Sequence, residues 1–384
     1  MLKWLLRIGL ILVALLALLW LWKGDELKRL LAVNSLFTPE KIVANFSHMD
    51  TLFLTQPLRR TSHTVVPLPE GPRAEMPDGF DDFVASRSLT AIVVLKNGEL
   101  VYEDYYQGTT ADDRRISWSV AKSWLSALLG ILIDEGAIGS IDEPVTQYAP
   151  ALSESAYEGA TIRDVLQMSS GVVFNEDYFD FHSDINRMGR ELALGGSMDG
   201  FAAALTDTFI KPGTQWQYVS IDTHVIGMVI RGATGRPISE LMIEKLVEPL
   251  GLESEPYYLT DGDGVAFVLG GLNMRTRDYA RFGQMIANGG RWADQQVVPA
   301  TWVRESTSAS AATAPGEKRY GYQWWLPPEA GDGQFFAHGV YNQYVYIDPS
   351  RNVVIALNAA NRRFREAGVS AANLAMLHRI ASGL

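Results

Sequence analysis

The chain opens on an uncharged apolar run from Ile8 to Trp22, with tryptophans at Trp4, Trp20 and Trp22. Its length lies between a signal-peptide core and a full bilayer span of about 20 residues, and indoles at both ends suit a membrane interface. No A-x-A cleavage signal follows, so the pattern predicts an uncleaved membrane anchor over residues 1–23, with the large remainder exported; cleavage and secretion is the alternative. Lys3 and Arg7 on one flank against Lys23, Lys28 and Arg29 on the other leave the orientation undetermined by charge. Residues 24–79, ending in the Pro- and Gly-rich "PLPEGPRAEMPDG", read as a connector.

Beyond residue 79 the apolar period changes along the chain. "TAIVVLKNGELVYEDYY" gives two apolar-rich strands around Asn97-Gly98, a strong short-range hairpin signal. Helical patterns follow in "SVAKSWLSALLGILIDEG", "TIRDVLQMSS", "DGFAAALTDTF", "DTHVIGMVIRGATG" and "PISELMIEKLVEPLG". Strands return in "YGYQWWL", "QYVYIDP" and "NVVIALN", and an amphipathic helix, "SAANLAMLHRIAS", ends the chain. Strands at both ends with helices between predict an α+β domain over residues 80–384, in which one sheet is closed by both ends and a helical region is inserted.

Composition narrows the chemistry. A net charge of −11 and no basic stripe argue against nucleic acid as a partner. The absence of cysteine removes disulfides, thiolate metal sites and cysteine nucleophiles, and the six histidines lack ligand spacing, so neither a metal nor another cofactor is implied. Oligomeric state is left open.

One charge stands out. From Ser119 to Ile133 the only ionisable side chain is Lys122, and an ammonium on a helix apolar on nearly every face is costly unless it is used. Three residues apart on a helix beginning at Ser119, the hydroxyl and the amine share a face. Apolar surroundings and the helix N-terminus both depress a lysine pKa toward that of a base, which would activate the serine as a nucleophile. Ser119 as a helix cap with Lys122 reaching outward is the plainer reading. In "PGTQWQYVSIDTHVIG", Tyr218 and Ser220 lie between two helical stretches, where a phenol can relay a proton to a leaving group or be a buried, anchored tyrosine.

These motifs, with "TIRDVLQMSSGV", "GGLNMRTRDYARFGQMIANGG" and "HGVYNQYVYIDP", make residues Thr90 to Asn361 resemble the class C β-lactamase-like serine hydrolases, which include DD-peptidases, family VIII esterases and 6-aminohexanoate-dimer hydrolases. The resemblance implies a β-lactamase/DD-peptidase-like fold, an antiparallel sheet flanked by helices with a helical subdomain, and a site in the cleft between them. It implies Ser119 as acyl-enzyme nucleophile, Lys122 as its basic partner and Tyr218 as proton relay.

The chain departs from the family at His338-Gly339-Val340, where a K-T-G is common. The lysine that meets a β-lactam carboxylate is missing, and Val340 stands where a glycine lets substrate approach the edge strand, unless a local shift gives Gly339 that part. The expected substrate is therefore a small ester or linear amide, neutral or amine-bearing, ahead of a β-lactam. The competing readings are a DD-peptidase or β-lactamase and a non-catalytic cell-wall-sensing module, the last opposed by the presence of all three reacting residues. Further candidate contacts are Tyr178, in the aromatic and acidic loop "FNEDYFDFHSD", Ser220, Asn273 and His338; for Asn273 a turn cap, and for His338 a plain strand-end residue, are equally open.

Overall fold

The computed structural model describes residues 2–61, 64–329, 331 and 333–384. Strands from both ends of the domain form one antiparallel sheet: β1 (Leu89–Lys96), β2 (Glu99–Tyr105), β3 (Arg319–Tyr320), β4 (Trp325–Leu326), β5 (Phe335–Gly339), β6 (Gln343–Asp348) and β7 (Val353–Ala359), in the order β2-β1-β7-β6-β5-β4-β3. The β1–β2 hairpin turns on Asn97 and Gly98, both left-handed at φ 53° and 84°, which the right-handed strand twist favours in a two-residue turn.

Alternate residues of the central strands enter two different cores. Ile92 and Val94 of β1 and Ile355 and Leu357 of β7 pack with Phe80, Phe83 and the C-terminal helix, whereas Val93, Leu95, Val354 and Ala356 face the large core that includes the inserted helices. Burial on both faces explains why these strands are nearly continuous in Val, Ile and Leu. The α+β architecture expected from the sequence is thus the observed one, with residues between β2 and β3 forming the helical insertion and the last helix covering the outer sheet face.

The helices that position the site are α1 (Leu2–Asn34), α2 (Ala121–Asp134), α3 (Asp184–Leu194), α4 (Ser220–Thr234), α5 (Thr276–Ala287) and α6 (Val369–Ser382). Helix α2 is buried from Ala121 to Leu132, as its apolar sequence demands. Its two interior serines do not go unpaired: Ser123 and Ser126 donate to the carbonyls of Gln323 and Tyr322 at 2.7 and 2.8 Å, tying the helix to the strand region.

Residues 24–79 do more than connect. Helix α1 runs through the expected boundary at residue 23 without a break, Arg29 donates from Nε to the Ala193 carbonyl of α3 at 2.8 Å, and Leu36, Phe46, Met49 and Leu58 are core residues. Thr55–Pro57 pairs with Tyr257–Leu259 at the edge of a second, four-stranded sheet that also holds Leu272–Met274 and Arg115–Ile116. Apolar side chains spaced among Pro and Gly gave this packing no periodic signal. Among the described residues no single helix is long and apolar enough to cross a membrane; the parts Trp4–Leu15 and Trp20–Asn34 meet that composition together, bent by 64°.

Candidate active site

The site is built on a strained turn. Strand Arg115–Ile116 leads into a single 3-10 turn, Trp118–Val120, ahead of α2, so Ser119 lies in that turn and not in the α-helix proper. Trp118 is left-handed, with φ 43°, a costly conformation for a bulky residue that persists only when surroundings hold it. Phe37, Phe46 and Tyr341 do so, with ring centres 5.8, 5.5 and 6.2 Å from the indole. The turn presents Ser119 to a cavity of about 290 Å³.

Lys122, 1% exposed, lies in the first turn of α2. Its Nζ donates to the Leu269 carbonyl at 2.7 Å and lies 5.6 Å from the Tyr218 ring centre. Burial pulls its pKa down to about 7, against the Glu176 and Asp222 carboxyls, which favour the charged form. Tyr218 is raised above the ordinary phenol value, first by burial and then by Glu176, while hydrogen bonding to Ser119 and Ser220 pulls the other way. Its ring stacks on Trp325 at 5.4 Å. An amine whose pKa is drawn down to about 7, a phenol and a serine hydroxyl therefore lie near one another in a buried place, an arrangement able to take a proton from the serine and hand it on.

Two carboxyls in this environment escaped the sequence reading. Glu176 accepts from the Ser220 amide and from the Tyr178 hydroxyl, the latter at 2.8 Å, and burial raises its pKa while Lys122 lowers it. Asp222, fully buried in the first turn of α4, accepts from Tyr157 and Ser170, each at 2.8 Å, and burial lifts it to about 8. An acid four residues beyond Tyr218 on an apolar helix was the available signal for Asp222. Glu176 gave none beyond its place in an acidic loop.

The other sequence candidates separate. Tyr178, Ser220 and Val340 line the cavity with Ser119. Gly339 has a different use: a Cβ there would stand 2.6 Å from the Ser117 carbonyl and 3.1 Å from the Ser119 amide, so glycine lets β5 run against the back of the serine turn. Glycine is thus required at Gly339 by the packing of β5 on the serine turn, while Val340 borders the cavity. Asn273 is fully buried in the small sheet and donates to the Gly271 carbonyl at 2.9 Å, outside the cavity lining, as a turn cap does. His338 also lies outside that lining and stacks on Tyr344 at 4.4 Å; burial, then Lys318, holds its pKa well below the usual imidazole range, so it is neutral. Among the described residues no group of three or more His, Asp or Glu could hold a metal ion.

Residues 80–379 match the family model described as Beta-lactamase. The 6-aminohexanoate-dimer hydrolase of Paenarthrobacter ureafaciens is 32% identical over 279 residues, covering 69% of this chain and 71% of that protein. The D-aminopeptidase of Brucella anthropi is 23% identical over 172 residues, 43% of this chain and 32% of that protein. Of solved structures, a candidate 6-aminohexanoate-dimer hydrolase from Bacillus anthracis superposes with a TM-score of 0.80 at 22% identity, over 90% of this chain and 95% of that one. A class C β-lactamase mutant does so at 0.60 with 15% identity, over 80% and 96%. The two superpositions establish the fold, and the matched span together with the identity to a named hydrolase establishes the lineage: this chain belongs to the β-lactamase family, as a serine hydrolase related to the 6-aminohexanoate-dimer hydrolases.

Proposed function

We propose that the protein cleaves a small ester or linear amide through an acyl-enzyme on Ser119, with Lys122 and Tyr218 as its proton-transfer partners. The observation that carries this reading is the convergence of the Ser119 turn, the buried Lys122 and, 5.6 Å from its Nζ, the ring of Tyr218, whose phenol is near enough to Ser119 for that hydroxyl to pull its pKa down. Neutral Lys122 takes the proton as Ser119 Oγ bonds to the acyl carbon, and the carbonyl becomes an oxyanion. The oxyanion collapses, the bond to the alcohol or amine breaks, and the Tyr218 hydroxyl supplies the departing group's proton, which Lys122 replaces. Water then hydrolyses the ester on Ser119, with the same pair taking its proton and returning one to Oγ.

The related Paenarthrobacter hydrolase supports a linear amide as the substrate class. Against a β-lactam stands the neutral His338, stacked on Tyr344, at the place of a carboxylate-binding lysine. The N-terminal helix belongs to the same proposal as a membrane anchor carrying an exported catalytic domain, supported by its exposed apolar side chains, Leu21 among them at 82%.

A fluorophosphonate probe followed by peptide mapping tests the nucleophile. The label is expected on Ser119, and Ser119→Ala should lose both labelling and p-nitrophenyl butyrate turnover by several orders of magnitude. Labelling of Ser119→Ala at the wild-type level would overturn the assignment. In the same assay nitrocefin should be the poorest of three substrates, behind the butyrate ester and a linear aminohexanoate amide.

A further inference from the structure

The cavity beside Ser119 is walled largely by hydrocarbon, with Phe37, Phe53, Ile185, Leu192, Phe267 and Leu269 on its sides. Neither Lys122 nor Tyr218 borders it. A leaving alcohol or amine must reach the Tyr218 hydroxyl to collect its proton, so the half of the substrate that extends into this cavity is the half that stays on Ser119. Among the described residues no Asp or Glu side chain lines it, and the one charged residue of the lining is Arg190, whose guanidinium lies 3.9 Å from the Phe181 ring centre. An ammonium at the end of an acyl chain would find no carboxylate there and a like charge at the wall.

We propose, resting on the Ser119 reading above, that this cavity is an acyl-chain site for esters or amides of uncharged aliphatic acids. It favours these over the amine-bearing acyl groups that the sequence left open. Part of its wall comes from before the family-matched span, which begins at residue 80: Val33, Leu36, Phe37 and Phe53 line it, the first of them on α1. The first half of that helix presents exposed Leu and Trp side chains, and the charged segment 23–29, KGDELKR, separates them from the cavity wall.

Gly189 offers the means to close it. It lies on the cavity face of α3 between Ile185 and Leu192, and a Cβ built there meets nothing within 4 Å. A side chain at this position thus starts out toward open space, and leaving glycine behind favours the helix. The test compares kcat/KM of the full chain and of Gly189→Trp on p-nitrophenyl acetate, decanoate and 6-aminohexanoate, with melting curves alongside. The wild type should favour decanoate over both others by about tenfold or more, since each buried methylene adds to transition-state binding, and the decanoate-to-acetate ratio should fall by about tenfold in the variant.

A wild type that favours acetate or aminohexanoate overturns the proposal, as does a folded Gly189→Trp with an unmoved ratio. Should that variant fail to fold, the rates at which short- and long-alkyl fluorophosphonates label wild-type Ser119 decide instead, equal rates counting against the acyl site. Labelling at Ser119 without chain-length preference removes the acyl site alone, whereas no labelling and no turnover removes the Ser119 reading with it. Presenting the long ester in phosphatidylcholine vesicles separates two sources of such a chain: a faster rate supports delivery from a bilayer and an unchanged rate supports capture from water, the chain preference standing in both.

Discussion

Lys122 is the residue at which stability and chemistry oppose each other. The folded protein releases its proton near pH 7, whereas the unfolded chain holds it to the ordinary value of 10.5, so this group makes the fold more stable as pH rises across that window. Below the window the buried charge is a standing cost. Lys122→Met keeps the shape and removes the charge, and the carboxyls facing it, Glu176 and Asp222, are present in both proteins. Its melting temperature relative to wild type should therefore be most favourable near pH 6 and lose ground toward pH 10, while turnover falls by about 10²-fold or more. In the wild type, kcat/KM should rise with pH through about 7 as the amine becomes neutral. Denaturation scans at the two pH values and a pH–rate profile check both; a lead for Lys122→Met that grows with pH would refute the depressed lysine.

At the scale of elements, the site depends on how closely β5 can approach the turn before α2. The contacts a Gly339 Cβ would make, 2.6 Å to the Ser117 carbonyl and 3.1 Å to the Ser119 amide, are with backbone and have no flexible end to yield. Gly339→Ala must push strand and turn apart, and under the proposed role of Ser119 a displacement on the order of 1 Å there costs about 10²-fold. We expect that loss in kcat, with KM changed little and the melting temperature lowered by only a few degrees. A kcat within twofold of wild type would mean that the edge strand does not hold Ser119 in place. The same interface explains the left-handed Trp118: aromatic rings from the N-terminal region and from Tyr341 enclose it, so distant segments stabilise a local conformation the dipeptide would not choose.

For the whole molecule, the arrangement of α1 joins an exposed apolar surface to the packed body. Leu15, Leu18 and Leu21 are exposed at 57%, 62% and 82%, whereas the C-terminal end of the same helix packs on α3. Contiguous apolar surface of this kind marks an interaction site in a folded chain. The full chain should float with phosphatidylcholine–phosphatidylglycerol vesicles in a density gradient, and Leu15→Glu combined with Leu18→Glu should leave it in the soluble fractions with its esterase activity retained. Flotation unaffected by both charges would place the membrane contact elsewhere.

Sequence by itself determined what is local or periodic. Asn97-Gly98 dictates a two-residue hairpin because both positions tolerate positive φ, the buried α2 follows from a segment with one charge in fifteen residues, and spacing and side-chain chemistry singled out Ser119, Lys122 and Tyr218 as candidates. Tertiary structure decided what depends on distant neighbours. Glu176 and Asp222 face Lys122 across separate elements; the Leu269 carbonyl holds its Nζ; and Gly339, not Val340, meets the serine turn. Asn273 and His338 left the cavity lining for the same reason, since short polar motifs do not state which way a strand end will face. Residues 24–79 show the widest gap, read as a connector yet supplying a strand, core residues and a cavity wall. Hydrophobic residues without a period still lose apolar area to water when a partner surface is present, and that surface exists only once the chain has folded.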